Sequence, residues 1–261
     1  MLSIRIASRS EVGERSENED DLRTGGHGVL RYAVLSDGAG GHENGAIASD
    51  LVVRGAVLAL QDARCLDAHT LVGAINDANT LLAARQRGAK ARQRMHATVV
   101  ALWIDVERHA ALWAHVGDSR LYLVRQGKVR LVTRDDSLVQ QMVDAKLISA
   151  EEARTHPRKN HLLAALGGRG PVEVHALADP FLVRDGDAFL LCSDGWWDAL
   201  GPGAIEETLE RAQSVDDWLD AMCEQVQSRA DAGQDNYSAV GVWLGDPDEV
   251  TQLQDIDPRS A

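Results

Sequence analysis

Nowhere in this chain is there a run of about 18 uncharged apolar residues, so no membrane-spanning helix is expected. The first ten residues, MLSIRIASRS, hold no apolar core of a secretory leader, because Arg5 interrupts their only short hydrophobic stretch. Cysteine is scarce. Cys65, Cys192 and Cys223 are odd in number and far apart, which suits neither a disulfide framework nor a zinc knuckle and predicts reduced, buried thiols. Basic charge is short as well: 27 Lys and Arg against 40 Asp and Glu leave a net charge of −13. A nucleic-acid partner is therefore not expected. Together these absences predict a soluble cytoplasmic protein without membrane contact. The acidic excess suits a site that collects divalent cations.

What is present is ordinary globular material, 44% apolar and 26% charged over 261 residues, enough for one large domain. Residues 2–8 and 31–36 read as strands. Residues 44–60 and 67–93 read as helices rich in Ala, Leu and Val, with Leu71, Ile75, Ala78 and Leu82 at helical spacing. The period then changes. ATVVALWID, AALWAHVGDS, RLYLVRQ and KVRLVTR are short β-branched and aromatic segments broken by turn signals, which predicts an antiparallel meander. Helices are expected at 137–145 and 149–155, the second with Ser149 as N-cap. Strands follow near 171–178 and 187–193, then a helix at 214–230 and a strand at 237–245. Residues 246–261 read as a flexible acidic tail. Strands in runs with helices in pairs predict an α+β fold of stacked antiparallel sheets with helices on the outer faces.

One local grammar repeats: an apolar strand, then Asp beside Gly or Asn. It occurs in VLSDG (Asp37, Gly38), AHVGDSR (Asp118), LLCSDG (Asp194, Gly195) and GQDNYSAV (Asp235, Asn236), while RSENEDD adds Glu19 and Asp20. Any one of them alone reads as a turn, and RDGD at 184–187, with no apolar run before it, is taken as one. Together, carboxylates at several strand ends repel one another unless cations sit between them. All-oxygen ligands without a Cys or His cluster suit Mg²⁺ or Mn²⁺, and two such ions about 3.5–4 Å apart are a common device for phosphoryl chemistry. Arg15, four residues before Glu19, is placed to bind phosphate oxygens.

In their order, GERSENED, DGAGGHENGAIAS, HVGDSRLYLVRQGKV, RDDSLVQQMVDAKLISAEEARTHPRKNHLLAALGG, LLCSDGWWDAL and DNYSAV resemble a bacterial PPM/PP2C-type metal-dependent protein serine/threonine phosphatase. The resemblance covers about residues 4–245. It implies a central β-sandwich flanked by helix pairs, a domain over 1–245 and a variable flap at 136–170. It implies that Asp37 bridges two Mn²⁺ or Mg²⁺ ions, that Asp194 and Asp235 hold the first, and that Glu19 and the Gly38 carbonyl serve the second. Asp118 would share a third, weaker ion with Asp194. Asp20, and with it Asn236, would orient the cluster, and Arg15 would bind the substrate phosphate.

The implied reaction is attack by a metal-bridging hydroxide on phosphoserine or phosphothreonine of a protein, without a phosphoenzyme. The implied setting is a monomer opposing a bacterial Ser/Thr kinase, and the compact form resembles phosphatases found beside type VI secretion kinases. Two other readings compete: a non-catalytic phosphoprotein-binding module on the same fold, and a two-metal enzyme acting on another phosphoester, such as a nuclease.

Some positions depart from the pattern. His42 stands in a bacterial Asp-Gly-x-Gly-Gly-His form, either as the acid that protonates the leaving alkoxide or as a structural residue at the helix start. His96 replaces a usual glycine. Asp136 stands where Asp-His-Ser is common, which would change a hydrogen bond near the site. His27, His69, His109, His115, His156, His161 and His175 show no ligand spacing and read as surface or core residues. Trp196 and Trp197 read as packing residues.

Overall fold

The computed structural model describes residues 2–40, 44–88, 94–168, 171–229 and 233–245; His42 and the acidic tail at 246–261 lie outside the described residues. Strands β1 (Ile4–Glu11), β2 (Asp20–His27) and β3 (Leu30–Ala39) lead into helices α1 (Asn44–Asp62) and α2 (Ala68–Arg85). Next come β4 (His96–Ala97), β5 (Val99–Asp105), β6 (Ala110–Val116), β7 (Arg120–Arg125) and β8 (Lys128–Leu131). Short helices α3 (Leu138–Asp144) and α4 (Ala150–Arg154) precede β9 (His175–Ala176), β10 (Phe181–Leu182) and β11 (Ala188–Cys192). The last described elements are α5 (Asp194–Trp197), α6 (Pro202–Arg211), α7 (Val215–Arg229) and β12 (Tyr237–Leu244).

Two antiparallel sheets result, ordered β1-β12-β11-β7-β8 and β10-β6-β5-β3-β2, with β4 on β3 and β9 on β6. The apolar runs explain why they stack. Along β5, Val99, Ala101 and Trp103 pack with α1 and α2, whereas Val100, Leu102 and Ile104 meet Phe189, Leu191 and Val240 of the other sheet. A strand covered on both faces loses the in–out polar alternation and becomes a continuous hydrophobic segment. The β1-β12-β11-β7-β8 sheet is covered on its far side by α6 and α7, where Trp218 and Leu219 pack with Ala239 and Trp243. The order of layers is therefore helix, sheet, sheet, helix.

The expected single meander is in fact two hairpins. β5 and β6 pair in one sheet and β7 and β8 in the other, and the chain crosses between them at Gly117–Ser119. Gly117 makes the crossing possible: its φ of 100° is reached by few other residues. The second predicted helix ends at Arg85, ahead of its expected limit at 93. Gln86 stops it by turning inward, accepting from Met95 N–H at 2.9 Å and donating to the Gly167 carbonyl at 2.7 Å. Cys192 and Cys223 are buried as expected, but Cys65 is exposed, because it lies in the connection between α1 and α2.

Candidate metal and phosphate site

Asp37 sits near the end of β3, and Thr98 fixes its backbone from both sides. The Asp37 N–H donates to Thr98 Oγ1 at 2.9 Å, and the Asp37 carbonyl accepts from Thr98 N–H at 2.8 Å. Across the β2–β3 pair, Asp20 stands directly opposite. Asp194 opens α5 one residue past β11, and Asp235 stands one residue ahead of β12, so the paired strands β11 and β12 carry them to one end. Asp118 enters from the crossing between the sheets. Strand ends of both layers thus converge on one acidic space.

The carboxylates feel one another. Burial, then the charges of Asp194, Asp20, Asp118 and Asp235, hold the Asp37 carboxyl well above the usual range. Burial and then Asp118, Asp235 and Asp20 do the same to Asp194. Asp118 is pushed up to about 7 by burial and by Asp135, with Arg120 pulling the other way. Asp20 rises to about 6, mainly through burial, against hydrogen bonds from Ser238 and Ser193. Glu19 is raised by burial too, opposed by the Gly45 N–H.

Two glycines bring the Glu19 loop close. A Cβ on Gly38 would collide with the Gly45 carbonyl oxygen, and one on Gly45 would collide with the Glu19 carboxylate. The Gly38 N–H donates to the Glu19 carbonyl at 3.0 Å. Asn236 anchors the same loop: its Oδ1 accepts from Glu19 N–H at 2.8 Å, and its Nδ2 donates to the carbonyls of Val12 at 2.8 Å and Glu17 at 2.9 Å. Arg15, carried by that loop, donates to Asp235 Oδ2 at 2.7 Å. A polar cavity opens beside Asp194 and Asp235, with Arg15, Lys159 and Arg229 on its walls.

The donor set can be tested against a hard cation. Asp20 Oδ2 accepts from Ser193 Oγ at 2.8 Å, while its buried Oδ1 has no hydrogen-bond partner among the described residues. A buried carboxylate oxygen without a partner is costly, and five crowded acids with raised affinity for protons have equal reason to take up a cation. The donors are all oxygen, as Mg²⁺ and Mn²⁺ prefer. Among the described residues no three His, Cys, Asp or Glu side chains close into a cage. The residues fit the ions.

The structure brings together Glu19, Asp20, Asp37, Asp118, Asp194, Asp235 and Arg15. His96 pairs with Ala39 in the short β3–β4 ladder. Trp196 is fully buried and Trp197 nearly so. Trp197 Nε1 also donates to the Asp118 carbonyl at 2.9 Å, while the Arg120 guanidinium lies 3.5 Å over its ring. Sequence reasoning missed Thr98, Ser193 and Gly45. Ser193 and Gly45 touch quoted motifs, but a hydroxyl or a glycine beside a motif carries no signal until the strands are paired.

The Protein phosphatase 2C family model matches residues 9–236. The serine/threonine protein phosphatase PstP of Mycobacterium tuberculosis is 36% identical over 213 residues, 80% of this chain and 39% of its own length. The chain thus spans less than half of that relative. A crystal structure of the same bacterium's PstP superposes with a TM-score of 0.84 at 32% identity, covering 94% of this chain and 100% of that one. The catalytic domain of PstP in complex with two manganese ions gives 0.80 at 30% identity, over 94% and 100% of the two chains. PppA, described as a key regulatory component of T6SS in Pseudomonas aeruginosa, gives 0.76 at 28% identity, over 93% and 99%. With the sandwich, the converging acids and a family model spanning nearly the whole described chain in agreement, this chain belongs to the protein phosphatase 2C family.

Proposed function

We propose that the chain is a metal-dependent protein phosphatase that hydrolyses phosphoserine and phosphothreonine on proteins. The observation that carries the reading is the convergence of Asp37, Asp194 and Asp235 from strand ends of two sheets, with Arg15 beside them. Asp37 would bridge two ions, Asp194 and Asp235 would hold one, and Glu19 with the Gly38 carbonyl would serve the other. Manganese is supported by the PstP structure that holds two such ions. When bound, the ions would supply Lewis-acid activation of water and neutralise charge on the phosphate.

The chain's own residues have distinct tasks. Arg15 offers a planar pair of donors to two phosphate oxygens. Its partner in the free protein is Asp235, and both side chains are exposed enough, 53% and 34%, for that pair to open at little cost. Ser193 holds Asp20, and Asn236 holds the loop from Val12 to Glu19, so positions are set before substrate arrives. Such preorganisation lowers the barrier without rearrangement during the reaction. A non-catalytic binder would need Arg15 but not this crowded set of acids.

The physiological task we assign is to oppose a bacterial Ser/Thr kinase. The likeness to PppA, named for its regulatory part in T6SS, supports placing it in type VI secretion control. The test is phosphate release from a phosphothreonine protein by Asp37→Asn and Arg15→Ala variants. Asp37→Asn should abolish metal-dependent turnover, and Arg15→Ala should raise KM. Full activity in Asp37→Asn would overturn the assignment.

A further inference from the structure

The turn that carries Asp118 is held from three directions. At Gly117, whose φ is 100°, a Cβ would lie 2.7 Å from Thr98 Cγ2, so the turn presses on the residue that fixes Asp37. From α5, Trp197 Nε1 donates to the Asp118 carbonyl at 2.9 Å. The third hold is Asp136. Gly117 N–H donates to Asp136 Oδ2 at 2.9 Å, and Asp136 N–H donates back to the Gly117 carbonyl at 2.9 Å.

The rest of Asp136 is engaged as well. Its Oδ1 lies 2.9 Å from His175 Nε2 on β9, and its carbonyl accepts from Leu163 N–H at 2.7 Å. Behind His175 the His115 ring lies tilted at 31°, its centroid 5.2 Å away, with Nε2 2.8 Å from the Arg134 carbonyl. One residue therefore ties the Asp118 turn to β9 and to the segment that follows α4. Asp136 departs from the Asp-His-Ser pattern that the chain otherwise resembles, and here an imidazole reaches it from β9. A carboxylate serving only as a solvated surface charge would not be 15% exposed with both oxygens bonded to different elements.

We propose that Asp136 is a positioning residue for Asp118: paired with His175, it fixes the Gly117 turn so that the Asp118 carboxylate is presented to a divalent cation. The inference rests on the reading that Asp118 is a metal ligand, and it adds the residues that aim it. Outer partners of metal ligands typically account for about 10–100-fold in affinity.

The experiment is calorimetric titration of the metal-free full chain with Mn²⁺, alongside thermal unfolding, for Asp118→Ala, Asp136→Ala, Asp136→Asn and His175→Ala. Asp118→Ala should remove the weakest binding step. Asp136→Ala should weaken that same step about 10-fold or more while the tighter steps stay as in the native chain. Asp136→Asn should recover most of the loss, because its amide oxygen still accepts from Gly117 N–H. His175→Ala should give a smaller loss confined to the same step, and it carries the test if Asp136→Ala does not fold. Native Mn²⁺ binding in Asp136→Ala or in His175→Ala, beside a lost step in Asp118→Ala, would overturn the inference. Native binding in Asp118→Ala would overturn the reading beneath it.

Discussion

Asp20 and Asp37 stand opposite each other across the β2–β3 pair, two acids in a cross-strand register where like charges repel. Asp118, Asp194 and Asp235 crowd the same space. In a fold that keeps such a pairing, bound cations would relieve the repulsion.

The pH dependence of stability follows. Burial pushes the Asp20 carboxyl up to about 6 and that of Asp118 up to about 7, from 3.8 for an unperturbed aspartate. Between those values the folded chain binds more protons than the unfolded chain, so stability falls as pH rises. His115, pushed down by burial, acts in the opposite sense, but it is one group against several carboxyls. The urea midpoint of the metal-free protein should therefore drop from pH 5 to pH 8, and saturating Mn²⁺ should remove most of the drop. A midpoint that rises over this window without metal would contradict the crowding.

Asn236 makes three hydrogen bonds to the loop carrying Arg15 and Glu19. Asn236→Ala removes three hydrogen bonds to part-buried backbone groups, a loss of about 1–2 kcal/mol, visible in a denaturant titration. Metal affinity should fall as well, by about 10-fold or more. Asn236→Asp should do no better, since a carboxylate cannot donate to the Val12 and Glu17 carbonyls.

Gly45 lies where a side chain would strike the Glu19 carboxylate. Gly45→Ala should leave α1 helical, because alanine favours a helix over glycine by about 1 kcal/mol. It should nonetheless weaken Mn²⁺ binding by displacing Glu19. Circular dichroism with a metal titration separates the two effects, and unchanged binding would mean that Glu19 has room to move.

Asp187 provides the contrast. It accepts from Arg125 Nε at 2.8 Å and Nη2 at 2.7 Å and from Arg184 N–H at 2.8 Å, away from the acidic cluster. Asp187→Ala takes the carboxylate from Arg125, which stays partly exposed and bonded to the Leu182 carbonyl, and should lower stability by about 1–3 kcal/mol, while Mn²⁺ affinity stays as in the native chain.

That contrast shows what the sequence could reveal. Asp187 belongs to the RDGD turn read as a plain turn, and it is a structural ion-pair acid; the strand-end acids gather in one space. β3, β5, β6 and β12 were legible because strands covered on both faces become apolar runs. β2 was not, because DDLRTGGH is an edge strand with little to bury. Gly25 in it lies under the Tyr32 ring, where a Cβ would strike the phenol, so this glycine is a packing requirement. The helix α6 was passed over although Pro202 follows Gly201 at its start and Ile205 and Leu209 line its buried face. The partners of Asp118 were hidden for another reason. Gly117, Asp136 and His175 meet only after two sheets are stacked, and no local spacing encodes that meeting.

The central claim is metal-dependent phosphate release. It is tested most directly by incubating the purified chain with a phosphothreonine peptide in Mn²⁺, in Mg²⁺ and in EDTA, beside an Asp194→Ala variant of confirmed fold. The account predicts release with a divalent cation, none in EDTA, and none from Asp194→Ala. Release that persists in EDTA or in the variant would contradict it, as would a folded native chain that releases nothing under either metal.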